Sequence, residues 1–147
     1  MAGQGGQRLS SITSEQADRI IATGRAHAAQ LGVAAIITVL DAGVHLKAFA
    51  RMDGAVLGSI DLAIGKARTA ALFATSSEAV WDYCKPGAAA HHLELSNGGL
   101  YPFAGGLPLI AADGTLFGSV GVSGGTVSQD LEIAQAAAAA LQTPSIT

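Results

Sequence analysis

The sequence predicts an α+β domain, a single antiparallel sheet flanked by helices, and three observations lead there. Two strand-length runs, Ala34 to Leu40 and Leu107 to Ala111, each run into a Gly-containing turn and then a second strand-length run, so each reads as half of a hairpin. Helical periodicity lies before, between and after these hairpins. The resulting order of helix, hairpin, helices, hairpin, helix lacks the strand–helix–strand alternation of a parallel sheet. At 147 residues the chain reads as one domain. A chain of that length buries roughly 70% of its unfolded surface on folding, enough for a core.

Residues 1–10 are rich in Gly and Gln and read as a flexible lead, with the folded domain running from 11 to 143. Thr13-Ser14-Glu15-Gln16 then fits a capping box, Thr13 at the cap and Gln16 three residues on. Ala17, Ile20, Ile21, Gly24, Ala28 and Leu31 follow at helical spacing, and Gly32 stops the helix. The first hairpin is Ala34 to Leu40, a turn at Asp41-Ala42-Gly43, and Val44 to Arg51. Met52-Asp53-Gly54 is a loop. Leu57 to Thr75 is helical, with a stripe of Ile60, Ala63, Ile64, Ala67, Ala71 and Ala74. Leu62, Thr69 and Phe73 fall nearly opposite. A helix apolar on two sides is buried on two sides, and in a domain this small the second partner is expected to be another subunit. Ser76 to Cys84 reads as a short amphipathic helix broken by Lys85-Pro86-Gly87. Ala88 to Tyr101 shows no period, only a turn signal at Asn97-Gly98-Gly99. Leu107 to Ala111 and Thr115 to Val122 form the second hairpin around Asp113-Gly114. A second capping box, Thr126-Val127-Ser128-Gln129, opens an Ala-rich helix to about Leu141, and Pro144 prevents much more.

Composition narrows the function. Half the residues are hydrophobic and 13% are charged, about half the usual charged share, which excludes a disordered chain. Aromatic residues make up 5%, against 30 Ala and 19 Gly, so small side chains do most of the packing. The shortage of charge implies surface hidden from water, and we expect a homo-oligomer larger than a dimer. The net charge of −3, with no Lys/Arg cluster, argues against a nucleic-acid partner. No apolar run approaches the roughly 20 residues of a membrane span, so no membrane partner is expected. The first residues lack the order of a signal peptide, and the expected compartment is the cytoplasm. The lone Cys84 excludes an internal disulfide and a thiolate zinc site.

Gly121-Val122-Ser123-Gly124-Gly125 joins a strand to a helix start. It matches the G-x-S-x-G nucleophile elbow literally, but no His follows Ser123 to act as base. An anion nest formed by the N–H groups of Ser123, Gly124 and Gly125 is the better chemical reading, and a turn that needs Gly is the plain one. Gly105-Gly106 permits close backbone approach to a ligand or to another subunit, and a plain loop is the bland reading. Neither cluster makes a nucleotide-binding motif. His91-His92 with Glu94 suggests a metal, but neighbours in a helix or strand point apart, so they are expected not to share one ion. His27, beside the apolar stripe of the first helix, is a candidate haem ligand; His45 reads as a solvent-facing strand residue. Cys84 lacks the Cys-x-x-Cys-His of covalent haem attachment. Charges are few, so Arg51, Asp53, Lys66 and Arg68 stand out as a cationic site for an acidic ligand, or as intersubunit ion pairs.

Arg51-Met52-Asp53-Gly54-Ala55, Lys66-Ala67-Arg68-Thr69-Ala70-Ala71, Gly105-Gly106-Leu107-Pro108, Asp113-Gly114, Gly118 to Gly125 and Gln129-Asp130 occur in that order. In these motifs the chain resembles the GlcG/HbpS family, also called the haem-degrading domain or DUF336, which includes the C-terminal domain of PduO-type proteins. The resemblance runs from about Leu9 to Leu141. It implies a profilin-like α+β fold, a compact homo-oligomer, often an octamer, and a small-ligand site. Characterised relatives bind haem or related tetrapyrroles, so haem is the one cofactor the resemblance suggests; family haem ligands have no fixed position.

Three functions follow as expectations. The first is noncovalent binding of haem or a related tetrapyrrole, with His27, His91 or His92 as ligand. The second is a cofactor-independent lyase or isomerase acting on a small carboxylate-bearing metabolite at a subunit interface. There Arg51 or Arg68 holds the carboxylate, Lys66 and the Gly105-Gly106 turn complete the pocket, and Ser123 to Gly125 stabilise developing negative charge. Asp53 or His92 moves the proton. The third is a non-catalytic assembly module.

Overall fold

Both predicted capping boxes form. Helix α1 (Ser14–Leu31) starts with Gln16 N–H donating to Thr13 Oγ1 at 3.1 Å and Thr13 N–H donating to Gln16 Oε1 at 3.0 Å. It ends on Gly32, which adopts the left-handed conformation that glycine reaches without a Cβ penalty. Helix α4 (Val127–Ala139) repeats the box with Thr126 and Gln129. The computed structural model describes residues 11–141; the expected lead at 1–10 and Pro144 lie outside them.

Between these helices lie β1 (Ile36–Asp41), β2 (Leu46–Arg51), α2 (Ser59–Phe73), β3 (Gly106–Ile110) and β4 (Leu116–Ser123). The strands form one antiparallel sheet in the order β2-β1-β4-β3, so the two hairpins meet through β1 and β4. Strand β2 starts two residues later than the alternation predicts. Val44 is drawn into the turn at φ +68° and donates its N–H to Asp41 O at 3.0 Å. The apolar start of α2 at Leu57 is likewise outside the helix and exposed. Ser76 to Cys84 is less regular than one helix. A 3₁₀ turn, Ser77–Val80, leads into a single α-helical turn, α3 (Trp81–Cys84).

The sheet is covered on both faces. Ile37, Val39, Val120 and Val122 point to the α1/α4 side, where they pack with Ala17, Ile20, Ala28, Ile133 and Ala137 in the main core. On the other face α2 rests directly on β4. A β-carbon at Gly121 would lie 2.1 Å from Ala63 O and 2.7 Å from Ala67 N, and Ser119 Oγ donates to Ala67 O at 2.8 Å. The alanines of α2 are what permit this spacing: Ala63, Ala67 and Ala70 are fully buried.

One side of α2 has a partner the periodicity does not reveal. Its Gly65/Thr69 flank is covered by the chain's own Tyr101 rather than by a second subunit. Tyr101 N–H donates to Thr69 Oγ1 at 2.8 Å, and its ring lies against Gly65, where a β-carbon would come within 2.7 Å of it. Leu72 and Phe73, further along α2, stay exposed. The stretch from 88 to 101, which shows no period, is therefore part of a strap laid along α2 and closed over a small second core of Val80, Cys84 and Leu100.

Candidate functional site

Of the charged residues singled out in the sequence, Lys66 meets the glycine turns at one end of the sheet, around Asp130. Lys66 leaves α2 on one face, and Asp130 lies in the first turn of α4 on the other. Both are 2% exposed. Lys66 Nζ donates to Asp130 Oδ2 at 2.8 Å and to Val122 O at 2.9 Å, so the ion pair bridges the two helical layers past the end of β4. Glycine makes room for it. A β-carbon at Gly105, where φ is +124°, would sit 2.5 Å from Val122 O, 3.0 Å from Lys66 Nζ and 3.1 Å from Asp130 Cβ.

The second oxygen of Asp130 takes one N–H of the nest read at Ser123–Gly125. Gly125 N–H donates to Asp130 Oδ1 at 2.9 Å. Thr126 N–H is given to Gln129 Oε1 at 2.9 Å, and Gln129 N–H to Thr126 Oγ1 at 3.1 Å. Ser123 is buried in β4 opposite Ile36. Gly124, at φ +134°, would put a β-carbon 2.5 Å from Ala34 O, so its glycine is explained by the neighbouring chain. Lys66, Gly105 and Gly125 thus surround an intramolecular carboxylate, and Gly124 packs against the Ala34-Ala35 backbone. Gly106 belongs to the adjoining edge of β3, where its N–H donates to the buried Ser77 Oγ at 2.9 Å. The signal available for Asp130 was its position, second residue of Gln129-Asp130, one turn after the Gly-rich loop.

The other candidates lie apart. Arg68 spans from α2 to the strap, with Nη2 donating to Asn97 O at 3.1 Å and Nη1 to Gly99 O at 3.5 Å. Arg51 ends β2 and Asp53 sits in the following turn; both are exposed, and neither has an ion-pair partner among the described residues. No hydrogen bond or ion pair joins Arg51, Asp53 and His92. His91 and His92 do not point apart as expected for a regular element. They lie on a turn, His92 has φ +75°, and their rings stack with centroids 3.8 Å apart. Among the described residues no group of three or more His, Cys, Asp or Glu side chains is placed to hold a metal ion. His27 reaches across from α1 to α4, where its Nε2 meets Glu132 Oε2 at 2.6 Å on a partly open surface. His45 is exposed, as expected, beside Asp41.

Burial pushes the Cys84 thiol above its ordinary pKa, and the nearby Glu94 carboxylate adds to the effect. A fully buried thiol so placed stays protonated and unreactive at neutral pH. The Tyr101 phenol is also raised, first by its hydrogen bond to the Asp61 carboxylate and then by burial. A cavity of about 660 Å³ opens on the far side of the domain, between Gln16, Pro108, Ile110, Phe117, Ala138 and Leu141. No His lines it, and neither do the candidate residues Arg51, Asp53, Lys66, Arg68, Gly105, Gly106 or Ser123 to Gly125.

A four-stranded antiparallel sheet between α1/α4 and α2, tied by a buried Lys–Asp pair at its glycine turns, defines a small α+β domain. The chain belongs to the family of haem-degrading HbpS-like proteins, whose model matches residues 12–139. It is 36% identical over 132 residues to an uncharacterized 15.0 kDa protein of the dhaT-dhaS intergenic region of Citrobacter freundii, covering 89% of this chain and 92% of that one. The structure is similar to that of Klebsiella pneumoniae ORFY, of the DUF336 family (TM-score 0.90, 31% identity, 99% of this chain and 100% of that chain). It is also similar to a PduOC:haem complex (TM-score 0.83, 35% identity, 88% and 94%).

Proposed function

We propose that this protein binds haem or a related tetrapyrrole noncovalently, with His27 as the ligand residue. The observation that carries the reading is the His27–Glu132 pair. A carboxylate on one ring nitrogen fixes the tautomer and orientation of an imidazole, as in many metal-bound histidines. With Nε2–H given to Glu132, the free lone pair lies on Nδ1, and the ring is still partly open to solvent. The residues present fit the group: an oriented imidazole at the surface, no accessible thiolate, and no Cys-x-x-Cys-His for covalent attachment. Similarity to a haem-bound relative supports the same reading. Bound haem would supply a redox-active iron; this chain's part is to ligate and orient it. We place it in a homo-oligomer larger than a dimer, in the cytoplasm; no helix among the described residues is long and apolar enough to cross a membrane.

Hemin titration tests this. A Soret band that saturates at one hemin per subunit and is lost in His27→Ala supports it, with all haem recoverable by pyridine extraction. In Glu132→Gln the affinity should fall about 10- to 100-fold. A Soret band unchanged in His27→Ala but lost when His91 and His92 are both replaced would move the ligand to the stacked pair.

A second reading, a cofactor-independent lyase or isomerase on a small carboxylate, is favoured by Arg51 and Asp53, which stand exposed and unpaired two residues apart. A melting shift with small carboxylates in the wild type, absent in Arg51→Ala, would support it.

A further inference from the structure

We infer that the strap from Lys85 to Leu100 is an independently opening unit, latched by Arg68, and that a carboxylate-bearing ligand competes for the latch. The inference goes beyond the haem reading and does not depend on it.

The strap has its own small core. Val80, Cys84 and Leu100, with Leu93 against them, form a cluster separate from the main core under α1 and α4. Opening the strap therefore exposes few apolar groups and leaves the sheet covered. Along its length a backbone hydrogen bond, Ala90 N–H to Tyr83 O at 2.8 Å, ties it to α3, and its fastenings to α2 lie at one end. Arg68 holds Asn97 O and Gly99 O, and at the strap's end Tyr101 is tied to Thr69 and to Asp61. The segment that carries the Arg68 ties is itself a tight turn: Asn97, Gly98 and Gly99 have φ of +54°, +73° and +109°. The closed state also carries a penalty of its own. Glu94 Oε1, on the strap itself, is buried in the closed state without a hydrogen-bond partner, and a buried acceptor left unsatisfied favours the open state.

The latch uses a strong donor on weak acceptors. The guanidinium is shared between two neutral carbonyls, one of them at 3.5 Å, whereas a carboxylate accepts two parallel charge-assisted hydrogen bonds from it. A carboxylate that takes Arg68 releases the strap, and by reciprocity an open strap binds the carboxylate more tightly. Opening also carries the stacked His91–His92 pair away from its closed position and uncovers Cys84.

Cys84 is the single cysteine, which makes it the reporter. Its reaction with Ellman's reagent is followed under native conditions, beside urea unfolding of the whole protein. We expect labelling far faster than global unfolding permits, with little urea dependence, and at least tenfold faster labelling in Arg68→Ala. Labelling that follows global unfolding with the same urea dependence overturns the inference. So does an Arg68→Ala acceleration no larger than its loss of global stability accounts for. Millimolar succinate is the probe for the second half. It should speed labelling of the wild type and leave Arg68→Ala unchanged. No effect on the wild type overturns the competition while leaving the separate opening unit to stand or fall on the first measurement. Hemin binding, read separately by its Soret band, keeps failure of the haem reading distinguishable from either result.

Discussion

Lys66 shows how far a residue's type and its role differ. Among so few charges it reads as a ligand-binding cation, yet it is spent inside the protein on Asp130 and Val122 O. Removing one partner of such a pair leaves an uncompensated buried charge, so Lys66→Met and Asp130→Asn should each cost about 3–5 kcal/mol in urea unfolding. The double variant Lys66→Met/Asp130→Leu should cost clearly less than the sum of the single losses, and strict additivity would show that the two charges do not stabilise one another. Thr38 is the opposite case. Its hydroxyl is fully buried in β1 and has no hydrogen-bond partner among the described residues. Thr38→Val keeps the shape and removes the unmet polar group, so stability should hold or rise by about 1 kcal/mol. A clear loss in thermal melting would mean that the hydroxyl has a partner, such as a buried water.

At the scale of elements, the two hairpin turns are held by carboxylates. Asp113 accepts the N–H of Thr115 at 2.9 Å, and that bond keeps its carboxyl below the ordinary value. At Asp41 burial pulls upward, but the N–H groups of Gly43 and His45, at 2.9 and 3.0 Å, outweigh it and the net shift is also downward. A depressed folded value means that the stabilisation is complete above the unfolded pKa of about 3.9 and is lost as pH falls through the folded values. The melting temperature of the wild type should therefore drop more steeply below pH 4 than that of Asp41→Asn; parallel curves would remove Asp41 from the acid response. The contact of α2 with β4 makes a second element-scale prediction. Gly121→Ala places a methyl against the helix backbone, which cannot move like a side-chain tip. The expected loss is about 1–3 kcal/mol or more, read by urea unfolding. A neutral result would mean that α2 slides freely on the sheet.

For the whole molecule, the exposed apolar groups concentrate on surfaces that the chain itself leaves open. Phe73 and Leu72 at the end of α2, Val56 and Leu57 before its start, and Trp81 and Tyr83 on α3 are all exposed. In a chain this poor in charge, such a surface is what the proposed assembly would cover. Sedimentation at micromolar concentration should show a species larger than a dimer, and Phe73→Asp should shift it to smaller species while the far-UV circular dichroism is retained. A monomeric wild type would refute the assembly outright.

The sequence by itself determined the element types, the two capping boxes, the two hairpins and the family resemblance. These rest on signals local in the chain: a cap with its partner three residues on, a run of β-branched residues, a turn bounded by glycine. Residue 44 shows the limit even there, because its alternation reads as strand while the turn hydrogen bonds take it. Only the tertiary structure decided what the chemistry-bearing residues do. Lys66 and Asp130 are 64 residues apart, Arg68 and Asn97 are 29 apart, and His27 and Glu132 are 105 apart. Nothing periodic in the chain relates such pairs. The stretch from 88 to 101 was unreadable because its order comes from carbonyls given to Arg68 and from a tyrosine laid on Gly65, not from a repeating backbone pattern. Whether a cation is free for a ligand or already satisfied depends on which backbone folds back against it, and that is settled only when the layers pack.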